Sequence, residues 1–124
     1  MKLEKDLLKQ LTRRLSLYTM TGEISWFGRL NSLKVKTIMG TWIQGCPKGT
    51  PDILAFVNTN DGMTALFIEC KSKSGTLRPE QLAFMKKYQS HPHINVMLLK
   101  DIEDFDKWIS LYAIDTTKEL PNEL

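Results

Sequence analysis

The stretch that decides the fold is residues 51–71, which read PDILAFVNTNDGMTALFIECK. Two apolar runs, within 52–57 and 66–68, flank a polar segment that contains the turn-forming pair Asp61-Gly62. Apolar runs of this length joined through an Asp-Gly pair are typical of a β-hairpin. The sequence therefore predicts two antiparallel strands whose outer ends lie side by side.

The outer ends of this hairpin carry charge. Asp52 opens the first strand, and Glu69 and Lys71 close the second. Because side chains alternate between the two faces of a strand, Glu69 and Lys71 project from one face and Cys70 from the other. Solvated charges are common at strand ends, but the apolar neighbours of this group favour a functional role. The hairpin thus brings two carboxylates and one ammonium group to one rim of a sheet.

Two carboxylates at one rim can bind a hard divalent cation. Mg²⁺ usually takes one or two carboxylates together with water and phosphate oxygens. Asp52 and Glu69 fit that preference, and the backbone carbonyl of Cys70 can supply a third oxygen. Lys71 would lie beside the attacked phosphate, where a cation orients the nucleophile and offsets developing negative charge. The pattern predicts a phosphodiesterase that depends on Mg²⁺ or Mn²⁺.

The flanking segments predict the other elements. Leucines along residues 2–18 lie on one helical face and predict an N-terminal helix. Residues 24–43 predict one or two strands with an interruption in the middle. A second helix is expected to begin at Pro79, because proline suits the first helical turn. Residues 94–99 predict a further strand, and the apolar pattern of residues 102–112 predicts a last helix.

Five basic side chains are candidates for contact with DNA. Lys34 and Lys36 alternate with apolar or threonine neighbours, which predicts a strand with one solvent-facing, cationic side. Lys48 lies in the Gly- and Pro-rich loop before the hairpin, where a solvated loop residue explains it equally well. Lys73 and Arg78 lie in a polar loop that could close over a substrate.

The charge of the chain is divided unevenly. Residues 1–90 carry 14 Lys or Arg and 7 Asp or Glu, a net charge of +7, whereas residues 91–124 carry 3 and 7, a net charge of −4. A basic body is what binding to a phosphate backbone requires, although solubility alone also explains a modest excess.

Length and composition predict one domain, with residues 1–114 as its body and residues 115–124 as a polar, mobile tail. The N-terminus lacks the apolar run of a signal peptide and no stretch is long enough to cross a membrane, so we expect a cytoplasmic protein, in a bacterium or a virus-infected cell. Its cysteines are then reduced thiols. His91 and His93 flank a proline and are expected at the surface without a chemical role.

Three motifs in this order resemble the PD-(D/E)xK nuclease superfamily. They are residues 49–52 (GTPD), 69–71 (ECK) and 74–81 (SGTLRPEQ). Within that superfamily they are similar to the VRR-NUC (virus-type replication-repair nuclease) domain. The resemblance implies an α/β fold with a restriction-endonuclease-like αβββαβ core, in which helices flank a mixed central sheet.

The resemblance also implies roles for individual residues. Asp52 and Glu69 hold the metal ion, Lys71 serves the nucleophile, and Gln81 on the following helix supports the site. Glu4 in the first helix is a further acid and would allow a second metal ion, although the helix dipole alone explains an acid at a helix N-terminus equally well.

Stand-alone VRR-NUC proteins pair into dimers that cut branched DNA. The resemblance therefore implies a homodimeric, structure-selective DNA endonuclease that acts on substrates such as four-way (Holliday) junctions during DNA repair. A DNA-binding or assembly subunit that kept the fold without cutting is one alternative, and the complete set of Asp52, Glu69 and Lys71 disfavours it. A sequence-specific restriction-type enzyme is another, and the absence of an attached recognition module disfavours that.

Overall fold

The computed structural model describes residues 4–116. In chain order the elements are α1 (Glu4–Thr21), β1 (Ile24–Arg29), β2 (Lys34–Lys36), β3 (Trp42–Gln44), β4 (Ile53–Thr59), β5 (Gly62–Cys70), α2 (Pro79–Tyr88), β6 (Ile94–Leu99) and α3 (Ile102–Tyr112). The first helix continues to Thr21 rather than to residue 18, and Gly22 follows it with a left-handed φ of 92°. Residues 2 and 3 of that predicted helix, and residues 117–124 of the predicted tail, lie outside the described residues.

Four of the strands form one mixed sheet in the order β1-β4-β5-β6. The predicted hairpin is present: β4 and β5 pair antiparallel, from Ile53 opposite Ile68 to Thr59 opposite Gly62. After β5 the chain crosses over through α2, and β6 then pairs parallel with β5. Parallel neighbours require a crossover connection of this kind. The outer ends of β4 and β5 therefore meet at one rim.

Helices cover both faces of this sheet. On one face, Leu11 of α1 and Phe105 of α3 are fully buried in one core cluster with Ile53 and Ile68. On the other face, the ring of Phe67 contacts the Phe84 ring of α2, with centroids 5.0 Å apart. The predicted α/β class, a mixed sheet flanked by helices, is confirmed.

A second, two-stranded sheet made of β2 and β3 interrupts the chain between β1 and β4. Three strands thus occupy a region where the sequence predicts one or two. The expectation that one face of the lysine-bearing strand is buried is wrong, because both β2 and β3 are exposed along their whole length. The two short strands pair with each other instead of extending the main sheet.

Cys70 and the two histidines were also singled out from the sequence. Cys70 is fully buried in the core, and burial raises the pKa of its thiol to about 12. His91 and His93 are exposed in the segment before β6, which enters the sheet opposite Ala65 and so at the other end of β5 from Glu69. Within residues 4–116, no helix is long and apolar enough to cross a bilayer.

Candidate metal centre

Asp52 and Glu69 face each other across the end of the hairpin. Asp52 precedes β4 directly and Glu69 is the penultimate residue of β5, so the register that pairs Ile53 with Ile68 continues to them. The backbone N–H of Asp52 donates to Glu69 Oε2 over 3.1 Å, and the backbone N–H of Cys70 donates to Asp52 Oδ2 over 2.8 Å. Each carboxylate is therefore fixed by the backbone of the opposite strand.

The first helix adds a third carboxylate to this pair. Glu4 is the first described residue of α1, and one carboxylate oxygen each from Glu4, Asp52 and Glu69 lie within 4.8 Å of one another. Glu69 is only 3% exposed, whereas Glu4 is open to solvent. The structure thus brings together the three acids that the sequence analysis assigned to a metal ion.

Gln81 ties the second helix to the same site. Its side chain is buried; Nε2 donates to Glu69 Oε1 over 2.6 Å, and Oε1 accepts the backbone N–H of Arg78 over 2.8 Å. Arg78 is the residue that caps α2, and Pro79 begins the helix as predicted. Because both ends of the Gln81 amide are engaged, its orientation is set by the start of α2.

Lys71 approaches Glu69 from the end of β5. Its Nζ lies 4.0 Å from Glu69 Oε1, and the Lys71 side chain is 13% exposed. The backbone N–H of Lys71 donates to the Leu99 carbonyl, which extends the parallel ladder by one residue beyond the strand. The predicted alternation, with Glu69 and Lys71 on one side and Cys70 in the core, is the arrangement found.

The electrostatics of this site favour a bound cation. The pKa of Glu69 is raised from 4.5 to about 7, first by burial and then by the negative charges of Asp52 and Glu4, which together outweigh the opposing effects of Lys71 and the Asp52 backbone N–H. Like charges held this closely are relieved either by a proton or by a cation. The side-chain donors are all carboxylate oxygens, the type that hard divalent ions prefer. The residues present therefore fit a divalent metal ion.

The Cys70 carbonyl also faces this group. The N–H of Cys70 points to Asp52, and the N–H and C=O of one residue in an antiparallel strand point to the same neighbour. A fourth oxygen is thereby directed toward the carboxylates.

The VRR-NUC domain model matches residues 7–100 of the chain, which is more than half of its length. The chain belongs to the VRR-NUC family. This is a nuclease family with a PD-(D/E)xK-like fold. The match includes Asp52, Glu69, Lys71 and Gln81, whereas Glu4 precedes it. No curated protein and no solved structure matched the chain.

The basic residues assigned to DNA are exposed on three different segments of this VRR-NUC domain. Lys34 and Lys36 lie on the exposed hairpin of β2 and β3, and Lys48 is exposed in the loop that leads to β4. Lys73 and Arg78 are exposed in the connection between β5 and α2. Their contact with DNA stays a prediction.

Two features beside the VRR-NUC site were missed in the sequence. Gly49 has a left-handed φ of 94°, and a Cβ there would lie 2.5 Å from the Glu80 carbonyl oxygen, so the loop before β4 packs directly on α2. The sequence signal that could have indicated this role is the position of Gly49 just before the Pro-Asp pair. Arg29 ends β1 opposite Ile53, and only the pairing of β1 with β4 places it near the acids.

Proposed function

We propose that the protein is a divalent-metal-dependent DNA endonuclease that hydrolyses phosphodiester bonds, with Mg²⁺ or Mn²⁺ as its cofactor. The observation that carries the proposal is the convergence of the Glu4, Asp52 and Glu69 carboxylates within 4.8 Å, beside Lys71, in a VRR-NUC domain. One rim of the sheet thus offers a hard-cation site and an ammonium group together.

Asp52, Glu69 and the Cys70 carbonyl are the proposed metal-binding groups, with Glu4 as a further one. Such an ion, when bound, supplies Lewis-acid polarisation of a phosphoryl oxygen and of water. The protein supplies the geometry: backbone N–H groups fix both strand carboxylates, at 3.1 and 2.8 Å. Gln81 is a positioning residue, since its 2.6 Å hydrogen bond holds Glu69 Oε1 in place.

Lys71 is the proposed catalytic cation. Its ammonium lies 4.0 Å from Glu69 and is largely withdrawn from solvent, so the attraction between the two charges holds it at the rim. In this place it can orient the attacking water and offset the negative charge that develops on the phosphate oxygens. Removing one such preorganised charge typically lowers kcat about 10²- to 10³-fold.

Branched DNA is the proposed substrate, and shape is the proposed basis of selection. Within residues 4–116 the only addition to the core is the small hairpin of β2 and β3, which leaves little surface for reading base identity. Lys34, Lys36, Lys48, Lys73 and Arg78 are the proposed phosphate contacts, which position DNA without reading its sequence. We place this activity in the cytoplasm.

A homodimer is the proposed assembly, and the hairpin of β2 and β3 supports it. Val35 pairs directly with Ile43, so both side chains project from one face, and they are 57% and 54% exposed. Lys34 and Lys36 project from the opposite face. An exposed apolar surface of this kind marks an interaction site, and a two-fold dimer would present two active sites to a symmetric four-way junction.

The nuclease proposal is tested with Asp52→Asn and Lys71→Ala. The asparagine keeps an acceptor for the Cys70 N–H and removes only the charge, so the fold should survive. Linear, flapped and four-way DNA are incubated with and without Mg²⁺, and Asp61→Asn, in the exposed turn of the hairpin, serves as the control. We expect wild type and control to cut four-way DNA only with Mg²⁺ and both site variants to fail. Full activity in either site variant would refute the site.

The same assay separates the alternatives. A non-catalytic DNA-binding subunit would bind DNA with a steep dependence on salt and yield no metal-dependent products. A restriction-type enzyme would give defined cuts in unbranched plasmid. Either result would replace the proposed branched-DNA endonuclease.

The dimer proposal is tested with Val35→Asp combined with Ile43→Asp. Charges on the apolar face should leave a monomer, whereas Leu111→Asp, at an exposed apolar residue of α3, should leave the mass unchanged. Light scattering measures the molar mass and far-UV circular dichroism confirms folding. A monomeric wild type, or an unchanged mass of the double variant, would contradict the proposal.

A further inference from the structure

A groove on the outer side of α1 is lined by cationic side chains. Its volume is about 830 Å³, and its lining includes Lys5, Lys9 and Arg13 of α1 together with Arg29 at the end of β1. Leu17 and Met20 line it farther along the helix. None of these residues belongs to the metal centre or to the predicted DNA contacts.

Two residues of the groove lining adjoin the metal centre. Lys5 directly follows Glu4, whose carboxylate is one of the three clustered acids. Arg29 is paired with Ile53, the residue after Asp52, and the next backbone N–H in the chain, that of Leu30, donates to the Asp52 carbonyl over 2.9 Å. Lys5 and Arg29 of the groove are therefore chain neighbours of groups at the metal centre, so one end of the groove lies beside the proposed scissile position.

The lining of the groove contains four cations and no acid. Among the residues that the structure describes, no ion pair is formed by any of the four cations, and all four are exposed. Arg14, the neighbour of Arg13, instead pairs with Asp106 over 3.5 Å. A concave surface of one sign of charge attracts a ligand of the opposite sign. A second copy of this chain seated here would oppose cations with cations.

The spacing of the cations matches a phosphate backbone. Lys5, Lys9 and Arg13 are four residues apart and so lie on one side of the helix, spanning ~12 Å at about 1.5 Å per residue. Neighbouring cations along α1 are therefore ~6 Å apart, so each of the three can meet a separate phosphate of one strand.

We infer that this groove binds the sugar-phosphate backbone of a duplex arm next to the bond that is cut. The inference rests on the proposed function, because it takes DNA as the substrate. The groove holds one strand of that arm through its phosphates. Because the groove lies along α1, this helix fixes the distance between the metal centre and the bound arm. The contacts are electrostatic and independent of sequence.

The test uses Lys9→Ala combined with Arg13→Ala, which leaves both cations nearest the acids in place. The control is Lys86→Ala combined with Lys87→Ala, which removes the same charge from the exposed face of α2. Affinity for a synthetic duplex and for a four-way junction is measured at several salt concentrations, in EDTA so that no strand is cut. Circular dichroism confirms that each variant is folded.

We expect the magnitude of the slope of log affinity against log salt to fall by about 2 in the groove variant, roughly one for each phosphate that is no longer neutralised. Affinity at low salt should fall about tenfold or more, and the control should keep the wild-type slope. An unchanged slope in the groove variant, or an equal reduction in the control, overturns the inference. A change in molar mass without a change in slope overturns it as well, because the groove would then be a self-association surface.

Cleavage separates this inference from the nuclease proposal. If the wild-type protein binds DNA through the groove but never cuts it, the groove inference is supported and the nuclease proposal is refuted. If the wild-type protein cuts DNA but the groove variant keeps the wild-type salt slope, the groove inference is refuted and the nuclease proposal is supported.

Discussion

Replacing Glu69 by Gln should change how stability depends on pH. Glu69 is 3% exposed, and its pKa is raised from 4.5 to about 7 by burial and then by Asp52 and Glu4. The folded protein therefore holds this proton more tightly than the unfolded chain does. By linkage, the free energy of unfolding that Glu69 contributes is fully present below pH 4.5 and is lost as the pH rises through about 7.

The size of this effect follows from the two pKa values of Glu69. The interval between 4.5 and about 7 corresponds to roughly 3 kcal/mol, at ~1.4 kcal/mol per pH unit. Glutamine cannot ionise, so it escapes that loss. It has only one side-chain oxygen, however, whereas the two carboxylate oxygens of Glu69 accept hydrogen bonds from Asp52 and from Gln81. Losing one of these two hydrogen bonds should lower the free energy of unfolding by about 1 kcal/mol. We therefore expect Glu69→Gln to be more stable than wild type by about 2 kcal/mol at pH ~8 and less stable by about 1 kcal/mol at pH ~4.

The assay is urea unfolding in EDTA across this pH range, followed by tryptophan fluorescence. Adding Mg²⁺ should restore stability to the wild type above neutral pH and have little effect on Glu69→Gln, because a ligand stabilises only a fold that binds it. Asp61→Asn should follow the wild-type curve at every pH. A constant difference between wild type and Glu69→Gln over the whole range would refute the account of the buried carboxylate.

Three further substitutions probe the support of the site. Gly49→Ala should lower the free energy of unfolding by about 2 kcal/mol or more, because φ at this position is +94° and the added Cβ would lie 2.5 Å from the Glu80 carbonyl oxygen. Gly40→Ala, at φ +81° in open space, should lower it by only about 1 kcal/mol. Equal losses of stability for the two variants in thermal unfolding would contradict this. Gln81→Ala should weaken Mg²⁺ binding, measured by calorimetry, about 10- to 100-fold, and an unchanged affinity would remove its positioning role. Phe105→Ala should lower the free energy of urea unfolding by about 3–5 kcal/mol, because the ring is fully buried, and a loss below about 1 kcal/mol would show that the core can close around the cavity.

The central hairpin could be predicted because its signals are local. The apolar runs and the Asp-Gly pair fix both strands, and a turn that pairs Thr59 with Gly62 leaves no freedom in the register. Period-two alternation then places Asp52 and Glu69 on the same face. Two of the three clustered acids thus follow from short-range pattern alone.

The remaining members of the site depend on tertiary packing. Glu4 and Gln81 lie on helices far away in sequence, and only the family resemblance indicated them; their approach to Glu69 arises from how α1 and α2 pack on the sheet. The exposure of Val35 was mispredicted for the same reason. Alternation indicates that a strand has two different faces, but whether a face is covered depends on what packs against it.

The metal centre draws on segments that are synthesised at different times. Of its members, Glu4 leaves the ribosome first and Gln81 last, with the whole central hairpin between them. A nascent or truncated chain that stops before α2 has all three acids but lacks the Gln81 hydrogen bond to Glu69 Oε1. If the proposed nuclease activity holds, an incomplete chain that lacks α2 should bind the metal ion weakly and cut poorly, because Gln81 can fix Glu69 only after that helix has been made.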